Sequence, residues 1–243
     1  MKKTIFITGA TSGIGKATAE VFAKQGHRLI ICGRRKEVLD NLQIQLSNFT
    51  DVYSLVFDVR NQQEVQNAIN SLPEDWKNID VLVNNAGNAH GLEPISDANI
   101  SDWDAMMDGN VKGLLYVSQP IIKLMKANNS GHIVNISSVA ARQTYANGTV
   151  YCASKKAVDV ISEGMRLELT EFGIKVTNVQ PGAVETDFSK VRFKGDEERA
   201  ATVYAGYEPL IAEDIADAIS YCVNAPDRVS IAEICIYPKA QAE

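Results

Sequence analysis

The chain has 243 residues, of which 45% are hydrophobic and 22% charged, and its formal net charge is −6. This composition excludes a largely disordered chain, which would carry far fewer branched aliphatic residues. The excess of acidic residues argues against a general nucleic-acid-binding protein, because such a protein needs a basic face. By length alone the chain is one large domain or two small ones, with little room for separate cofactor and substrate domains.

Short apolar runs alternate with longer amphipathic stretches along the chain, which is the pattern of βα units that build a parallel sheet. Strands are predicted at residues 4–8, 28–32, 52–58, 80–83, 132–137, 175–179 and 233–237. Helices are predicted at residues 14–24, 36–46, 62–71, 101–127, 152–171 and 212–223. Since no linker or repeat interrupts this alternation, we expect one α/β domain over residues 1–243. It would hold a doubly wound, seven-stranded parallel sheet with helices on both faces.

Cysteine and histidine residues are dispersed and predict neither disulfides nor a metal centre. The four cysteines form no C-x-x-C pair and have no histidine at zinc-site spacing. The apolar run that begins at Thr4 is broken at Gly9, far short of a secretory signal or a membrane span. We therefore expect a cytoplasmic protein with reduced thiols and no membrane partner.

A glycine-rich segment follows the first predicted strand. Residues 9–15 read GATSGIG, and a helix is predicted to begin within them. Glycines at such a junction let backbone N–H groups approach a pyrophosphate, while the positive end of the helix points at it. Glycine also marks any tight turn, but this position indicates the first βα turn of a Rossmann fold. The residues expected to bind a dinucleotide here are Gly9, Thr11, Ser12, Gly13, Ile14 and Gly15.

The end of the second predicted strand distinguishes between the two nicotinamide cofactors. A site for NAD usually has an acidic residue about 20 residues after the glycine loop, where it binds the ribose 2′-hydroxyl. Here residues 32–35 read CGRR, and the nearest acid, Glu37, lies inside the next predicted helix. Guanidinium groups bind a 2′-phosphate through paired hydrogen bonds. We therefore expect Arg34 and Arg35 to bind NADP, the alternative being two solvated arginines at a helix start.

Further polar groups follow later predicted strands, at the edge where open α/β sheets bind ligands. Asp58 and Val59 end the third strand, NNAG at 84–87 ends the fourth, and Ser137 and Ser138 end the fifth. The carboxylate of Asp58 can accept a hydrogen bond from the exocyclic amine of adenine, with Val59 against the ring. The asparagine–glycine run is also a common turn sequence.

The segment YCASK at residues 151–155 carries the catalytic signal. Residues four apart share a helix face, so the phenol of Tyr151 and the ammonium of Lys155 point into one pocket. A tyrosine with an ordinary pKa of about 10 is a poor base near neutrality, and an adjacent cation favours its phenolate. The rival tyrosine, Tyr145, has Thr149 four residues after it instead of a cation. Taken alone, Tyr151 and Lys155 fit an exposed helix-surface pair better than a catalytic pair, and the other motifs reverse this interpretation.

These groups occur in a fixed order along the chain: TGATSGIG at 8–15, Asp58, NNAG at 84–87, Asn110, Ser138, YCASK at 151–155 and Pro181 with Gly182. The ordered set resembles the short-chain dehydrogenase/reductase family across almost the whole chain. The resemblance implies that Ser138 orients the substrate oxygen and that Tyr151 is the general acid/base. It also implies that Lys155 lowers the pKa of the tyrosine and holds the nicotinamide ribose, and that Asn110 keeps a relay water. The further cofactor-binding residues that it implies are Asp58, Val59, Asn85, Ala86, Gly87, Tyr151, Lys155, Pro181, Gly182, Val184 and Thr186.

Within this family, the chain is most similar to the NADP-dependent 3-hydroxy acid dehydrogenases, which act on serine, L-allo-threonine and related acids. The segments that carry the likeness are GRR at 33–35, LPEDW at 72–76, NID at 78–80 and VRFKGD at 191–196. The last lies where a lid over the substrate is expected, within residues 187–207. Arg192, Lys194 and Arg142 are candidate cations for a substrate carboxylate. We expect Arg192 to bind it beside Ser138 and Tyr151, the alternative being a solvated or intersubunit patch.

Other functions on the same fold remain open at this stage. A carbonyl reductase could instead act on a 3-ketoacyl, sepiapterin-like or xenobiotic substrate. A noncatalytic NADP sensor would not need Ser138, Tyr151 or Lys155, whereas this chain has all three. An epimerase or dehydratase is a third alternative, but such enzymes normally need a larger C-terminal substrate region.

Assembly is implied mainly by the family resemblance. The predicted helices at 101–127 and 152–171, together with the last strand, form tetramer contacts in most relatives, and isologous helix pairing suits closed symmetry. We therefore expect a homotetramer. The apolar residues of these helices could equally cover the parent sheet.

Overall fold

The apolar runs of the sequence form the strands of one parallel sheet. The computed structural model describes residues 2–202, 206 and 208–241. The strands within these residues are β1 Thr4–Thr8, β2 Arg28–Gly33, β3 Val52–Val56, β4 Val81–Asn84, β5 Gly131–Ile136, β6 Ile174–Pro181 and β7 Glu233–Ile236. They pair in parallel in the order β3-β2-β1-β4-β5-β6-β7. The order reverses between β1 and β4, so a ligand crevice is expected where these two strands end.

Helices connect the strands at nearly the predicted positions. In the described residues they are α1 Gly13–Lys24, α2 Lys36–Leu46, α3 Gln62–Asn70, α4 Ile100–Met107, α5 Gly113–Asn128, α6 Thr149–Leu169, α7 Phe188–Arg192, α8 Glu197–Thr202 and α9 Ala212–Asn224. Because α6 begins three residues before its predicted start at 152, Tyr151 lies in its first turn. The predicted seven-stranded parallel sheet with helices on both faces is confirmed.

Each face of the sheet holds an apolar core. β1 is buried along its length, with Ile5 and Ile7 in one core and Phe6 in the other. The first core also contains residues of α1, α2 and α9, and the second contains residues of α3, α5 and α6. Full burial of a side chain such as Phe22 stabilises the fold by about 2 kcal/mol. Strands covered on both faces explain why their sequences are nearly continuous apolar runs.

The helix predicted at 101–127 is interrupted in the structure. α4 ends at Met107, a π-helical turn spans Asp108–Lys112, and α5 begins at Gly113. A π-helical turn inserts one extra residue into a helix and often occurs at functional sites. Asn110 lies inside this turn and is buried. Sequence periodicity does not reveal this turn, because one inserted residue shifts the apolar pattern only slightly.

The predicted lid at residues 187–207 contains the short helices α7 and α8, which were not predicted. Residues 203–205 and 207 of the predicted lid lie outside the described part of the chain. At its base, Val184 and Leu210 pair in an isolated parallel bridge, flanked by backbone hydrogen bonds of 2.7 and 3.0 Å. The two ends of the chain segment between Val184 and Leu210 therefore lie side by side.

Within the described ranges, no helix combines the length and the apolar character needed to cross a bilayer.

Candidate active site

A cleft of about 510 Å³ opens where β1, β4, β5 and β6 end. Its volume lies within the usual range for small-molecule and cofactor sites. Most residues predicted to bind a cofactor or substrate line it: Gly9, Thr11, Ser12, Gly13, Ile14, Arg34, Arg35, Asp58, Val59, Asn85, Ala86, Gly87, Ser138, Tyr151, Lys155, Pro181, Gly182, Val184 and Thr186. Gly15, Asn110 and Arg192 are the predicted site residues that do not line it. Gly15 and Asn110 contact residues of its wall, and Arg192 lines a smaller adjoining cavity.

The glycine loop forms one wall of the cleft. Gly9 has a φ of +65°, a conformation that L side chains rarely adopt. A Cβ at Gly15 would collide with the carbonyl oxygen of Gly9 and with the side-chain amide of Asn85. That amide donates hydrogen bonds of 2.9 and 3.2 Å to the carbonyl oxygens of Thr8 and Gly9. Asn85 of the NNAG segment therefore fixes the start of the loop and links the two motifs.

The N-terminus of α1 points into the cleft from this loop. Its N-cap residue, Ser12, has extended backbone dihedral angles and makes no side-chain capping bond. The first turn of α1 contains no acidic residue. The positive end of this helix is therefore neither capped by Ser12 nor neutralised by a first-turn acid, an arrangement suited to an anionic group such as a phosphate.

Basic residues lie at the β2 end of the cleft. Arg34 is 65% exposed, and its Nη1 lies 3.7 Å from Oδ2 of Asp58. Arg35 donates from Nη2 to the carbonyl oxygen and the hydroxyl of Thr11, at 3.2 and 2.8 Å. Thr11 thus holds one arginine against the glycine loop through uncharged acceptors. Both guanidinium groups keep donors available for a ligand phosphate.

The carboxylate of Asp58 binds Arg60, a partner that was not predicted from the sequence. Arg60 donates to both oxygens of this carboxylate, the shortest bond being 2.6 Å from Nη2 to Oδ2. Burial raises the pKa of Asp58, but the hydrogen bonds and charge of Arg60, together with the charge of Arg34, bring it below its ordinary value. The neighbouring positions of Asp58 and Arg60 along the chain were the available signal. The carboxylate is therefore largely committed to Arg60.

Tyr151 and Ser138 meet at the opposite end of the cleft. Ser138 follows β5, and its Oγ accepts a hydrogen bond of 3.1 Å from the backbone N–H of Ala140. The ring of Tyr151 packs against Phe188 of α7, with ring centres 5.7 Å apart. Burial raises the pKa of Tyr151 above its ordinary value, while a side-chain hydrogen bond with Ser138 acts in the opposite direction. The phenol is thus protonated at neutral pH.

The upward shift in the pKa of Tyr151 is opposite to the expectation that Lys155 lowers this pKa. The Nζ of Lys155 lies 6.0 Å from the centre of the tyrosine ring. The cation that lowers the pKa of Tyr151 is Arg192, and its effect is smaller than that of burial. Desolvation of the phenolate therefore outweighs the nearby positive charges.

Lys155 lies one turn after Tyr151 and is also buried. Its Nζ donates a 3.0 Å hydrogen bond to the carbonyl oxygen of Ile136 at the end of β5. Burial lowers the pKa of Lys155 to about 8, and the charge of Asp159 opposes this effect. Near neutral pH most of the lysine is charged.

Asn110 is held in the π-helical turn by a closed set of hydrogen bonds. Its Nδ2 donates to the carbonyl oxygen of Asn88 and to Oγ of Ser154, both at 2.9 Å. Its Oδ1 accepts from the backbone N–H of Asn88 at 2.7 Å. A Cβ at Gly87 would lie 3.0 Å from Oδ1 of Asn110 and 3.4 Å from Nζ of Lys155. Asn110 therefore lies behind Gly87, next to Lys155.

A smaller cavity of about 20 Å³ adjoins the cleft and shares Tyr151 with it. Arg192 of α7 lines this cavity. Its Nη2 donates to the hydroxyl of Tyr145 at 2.6 Å, and its Nε donates to the carbonyl oxygen of Gly91 at 3.2 Å. Both acceptors are uncharged, so they leave the charge of the guanidinium uncompensated.

The two other candidate cations are paired with carboxylates. Arg142 donates at 2.6 Å to Oε2 of Glu233, and Lys194 donates at 2.9 Å to Oδ2 of Asp102. Arg192 therefore differs from Arg142 and Lys194, because its partners are neutral and it lies beside Tyr151. Tyr145, which sequence reasoning considered only as a rival base, instead contacts Arg192.

The described cysteines, Cys32, Cys152, Cys222 and Cys235, are all free thiols. Among the described residues, no group of three or more His, Cys, Asp or Glu side chains is arranged to hold a metal ion.

Comparison with known proteins agrees with this geometry. The sequence profile described as short chain dehydrogenase matches residues 3–197. NADP-dependent 3-hydroxy acid dehydrogenase YdfG of Salmonella typhi is 41% identical over 239 residues, which are 98% of this chain and 96% of that protein. Sulfoacetaldehyde reductase 2 of Chromohalobacter salexigens is 40% identical over 243 residues, which are 100% of this chain and 96% of that protein.

A solved structure of the closed form of serine dehydrogenase complexed with NADP+ has a TM-score of 0.95 to this chain and is 39% identical in sequence. The match covers 99% of this chain and 96% of that one. The fold, the order of the motifs and the profile match lead to one conclusion: the chain belongs to the short-chain dehydrogenase family.

Proposed function

We propose that the chain is an NADP(H)-dependent oxidoreductase that interconverts a 3-hydroxy acid and the corresponding 3-oxo acid. The proposed substrates are of the serine, L-allo-threonine or 3-hydroxypropionate type. The observation that carries the proposal is one cleft with Ser138, Tyr151 and Lys155 at one end and two arginines at the other. The names of the relatives at 41% and 39% identity support both the cofactor and the substrate class.

The residues of the cleft fit a dinucleotide that carries an additional phosphate. Gly9 and Gly15 leave no room for side chains where the backbone must approach a pyrophosphate, and the N-terminus of α1 favours its charge. Arg34 and Arg35 would hold the 2′-phosphate. When bound, the nicotinamide supplies or accepts the hydride.

Tyr151 moves the proton in this proposal. Its protonated phenol donates to the substrate carbonyl oxygen during reduction and takes the hydroxyl proton during oxidation. The hydroxyl of Ser138, at the same oxygen, stabilises the developing negative charge. The charged ammonium of Lys155 would hold the nicotinamide ribose, and Asn110 would hold a relay water beside it.

Arg192 would bind the substrate carboxylate, with residues 187–207 acting as a lid. The position of Arg192 beside Tyr151, and its uncharged partners, support this role. A second substrate class has a specific observation in its favour: one relative of 40% identity is named a sulfoacetaldehyde reductase. A sulfonate is also an anion that a guanidinium binds. Arg192 alone therefore does not distinguish the two classes.

A substrate panel tests the proposal. Purified protein is mixed with NADP+ and serine, L-allo-threonine, 3-hydroxypropionate, 2-hydroxyethanesulfonate or an uncharged alcohol, and the absorbance of reduced nicotinamide is followed. We expect the 3-hydroxy acids to give the highest kcat/KM. Preference for the sulfonate or for the uncharged alcohol would overturn the substrate class.

Tyr151→Phe is the matched variant for this panel. It should lose orders of magnitude in turnover while still binding NADP+, because the substitution removes only the proton-carrying hydroxyl. Full turnover in the variant would contradict the role of Tyr151. Binding of NADP+ without turnover on any substrate, in the unaltered protein, would indicate a sensor.

We also propose that the protein is a cytoplasmic homotetramer. Exposed apolar side chains on the outer helices support the assembly: Met107 on α4, Leu115 on α5, and Val160 and Leu167 on α6 are 38–73% exposed. Such residues are candidates for burial between subunits. Sedimentation velocity should give the mass of four chains.

A further inference from the structure

Asp159 is a buried carboxylate on the catalytic helix, four residues after Lys155 and eight after Tyr151. Its side chain is 11% exposed. One oxygen, Oδ1, accepts three hydrogen bonds: from Ser137 Oγ at 2.8 Å, from Asn178 Nδ2 at 2.7 Å and from Gln180 Nε2 at 3.1 Å. The donors come from the residue after β5 and from β6. Asp159 therefore joins α6 to the ends of two strands.

The first of these donors connects Asp159 to the reaction. Ser137 immediately precedes Ser138, and its Oγ also lies 3.0 Å from the carbonyl oxygen of Lys155. Ser138 comes from the segment after β5, whereas Tyr151 comes from α6. Their relative position depends on how the segment after β5 is attached to α6. Asp159 supplies one such attachment.

The other donors extend the network to the edge of the sheet. Gln180 accepts a 2.6 Å hydrogen bond from Nε of Arg142, whose Nη2 pairs with Glu233 on β7. This contact fixes the orientation of the Gln180 amide, so that its NH2 group faces Asp159. The carboxylate therefore meets a prearranged set of donors.

Charge is the second link between Asp159 and the reaction. The groups that face the Lys155–Asp159 region from β5 and β6 are hydroxyls and amides, and the π-helical turn contributes the amide of Asn110. On α6 itself the ionisable neighbours are Tyr151 and Lys156, whose Nζ is 3.7 Å from Oδ2 of Asp159. Arg142, next to Gln180, is paired with Glu233. In the described part of the chain, Asp159 is the charged group that opposes the effect of burial on Lys155.

We propose that Asp159 is a positioning residue for the reaction, which holds the segment carrying Ser138 against α6 and places a negative charge one helical turn from Lys155. This inference rests on the roles proposed above for Ser138 and Lys155. It adds a residue that touches neither substrate nor cofactor and acts through both of these side chains.

Asp159→Asn tests the charge, because asparagine keeps the size and an oxygen acceptor. The matched control is Glu163→Gln, which removes one exposed charge from the same helix. Competitive acetylation of the protein across pH, followed by mass spectrometry, gives the midpoint at which Lys155 loses its proton. We expect this midpoint to fall by about one pH unit in Asp159→Asn and to stay unchanged in Glu163→Gln.

Turnover gives a second readout. Since the pKa of Lys155 is about 8, a fall of about one unit reduces the charged fraction roughly fivefold at pH 8 and hardly at all at pH 6. The alkaline limb of the kcat profile should therefore move to lower pH. Ser137→Ala, which removes the attachment but keeps the charge, should lower kcat evenly at all pH values and leave the midpoint in place.

An unchanged Lys155 midpoint in Asp159→Asn overturns the inference, and so does an activity loss that is uniform with pH. If Asp159→Asn does not fold, Asp159→Ser replaces it with the same expectation, since serine keeps a small polar group toward the same donors. The acetylation experiment requires no substrate. It therefore tests Asp159 even if the proposed reaction is wrong, while a lack of turnover in the unaltered protein counts against the reaction alone.

Discussion

Arg192 donates a 2.6 Å hydrogen bond from Nη2 to the hydroxyl of Tyr145. The same contact places its guanidinium carbon 5.4 Å from the ring centre of Tyr151. Helix α7, in the segment proposed as a lid, therefore brings a positive charge next to the proposed acid/base, and Tyr145 from the loop before α6 holds it there.

Replacement of Arg192 should separate charged from uncharged substrates. We expect Arg192→Ala to lower kcat/KM for 3-hydroxy acids by about 10²-fold, because a hydrogen bond between charged groups contributes roughly 1.5–3 kcal/mol. An uncharged alcohol should lose less, because for it the variant removes only the effect of Arg192 on the pKa of Tyr151. The control is Lys194→Ala, since Lys194 is paired with Asp102. Equal losses on both substrates would exclude carboxylate recognition by Arg192.

The two arginines after β2 should decide the cofactor preference. In the double variant Arg34→Ala, Arg35→Ala, the Kd for NADP should rise at least about 10²-fold, because two charge-assisted contacts to the 2′-phosphate are lost. The Kd for NAD should hardly change. Fluorescence titration of both cofactors measures this, with Lys36→Ala as control because Lys36 is paired with Asp40 on α2. An unchanged NADP affinity would contradict the assignment.

A buried histidine should make stability depend on pH. His132 lies in β5, its Nε2 is 2.8 Å from Oγ1 of Thr177, and burial lowers its pKa from 6.5 to about 3. Between these values the unfolded chain binds the proton that the folded chain excludes. The contribution of His132 is therefore fully present above pH 6.5 and is lost progressively as the pH falls toward 3.

Between pH 7 and pH 5 this single group should reduce the free energy of unfolding by about 2 kcal/mol. In His132→Gln this part of the decrease should be absent. Urea denaturation at pH 7 and pH 5, at constant protein concentration, measures the difference. His90→Gln should remove less of the decrease, since His90 is only half-buried. A pH dependence that is the same in His132→Gln and in the unaltered protein would show that His132 does not titrate on unfolding.

Local patterns account for what could be predicted. The strand, glycine loop and helix at 4–24 are encoded by apolar runs and glycines within one short segment, and Tyr151 and Lys155 share a face through helical periodicity. The parallel sheet followed from the alternation of such segments. These features need no knowledge of which distant residues meet.

Contacts between distant segments account for the rest. Tyr145 and Arg192 are 47 residues apart, and the donors to Asp159 come from two other elements. The extra residue of the turn at Asp108–Lys112 has no sequence signature either. The direction of the pKa shift of Tyr151 was also unpredictable, because it depends on the depth of burial rather than on the neighbouring lysine.

The bridge between Val184 and Leu210 has a consequence for how enzymes on this scaffold diversify. Because the chain between them starts and ends at one hydrogen-bonded position, its length can change without displacing the strands on either side of it. The entropy of closing a loop changes slowly with its length, by about 0.6 kcal/mol per doubling. Natural variation can therefore exchange the residues proposed to select a substrate while the sheet, the glycine loop and α6 are inherited unchanged.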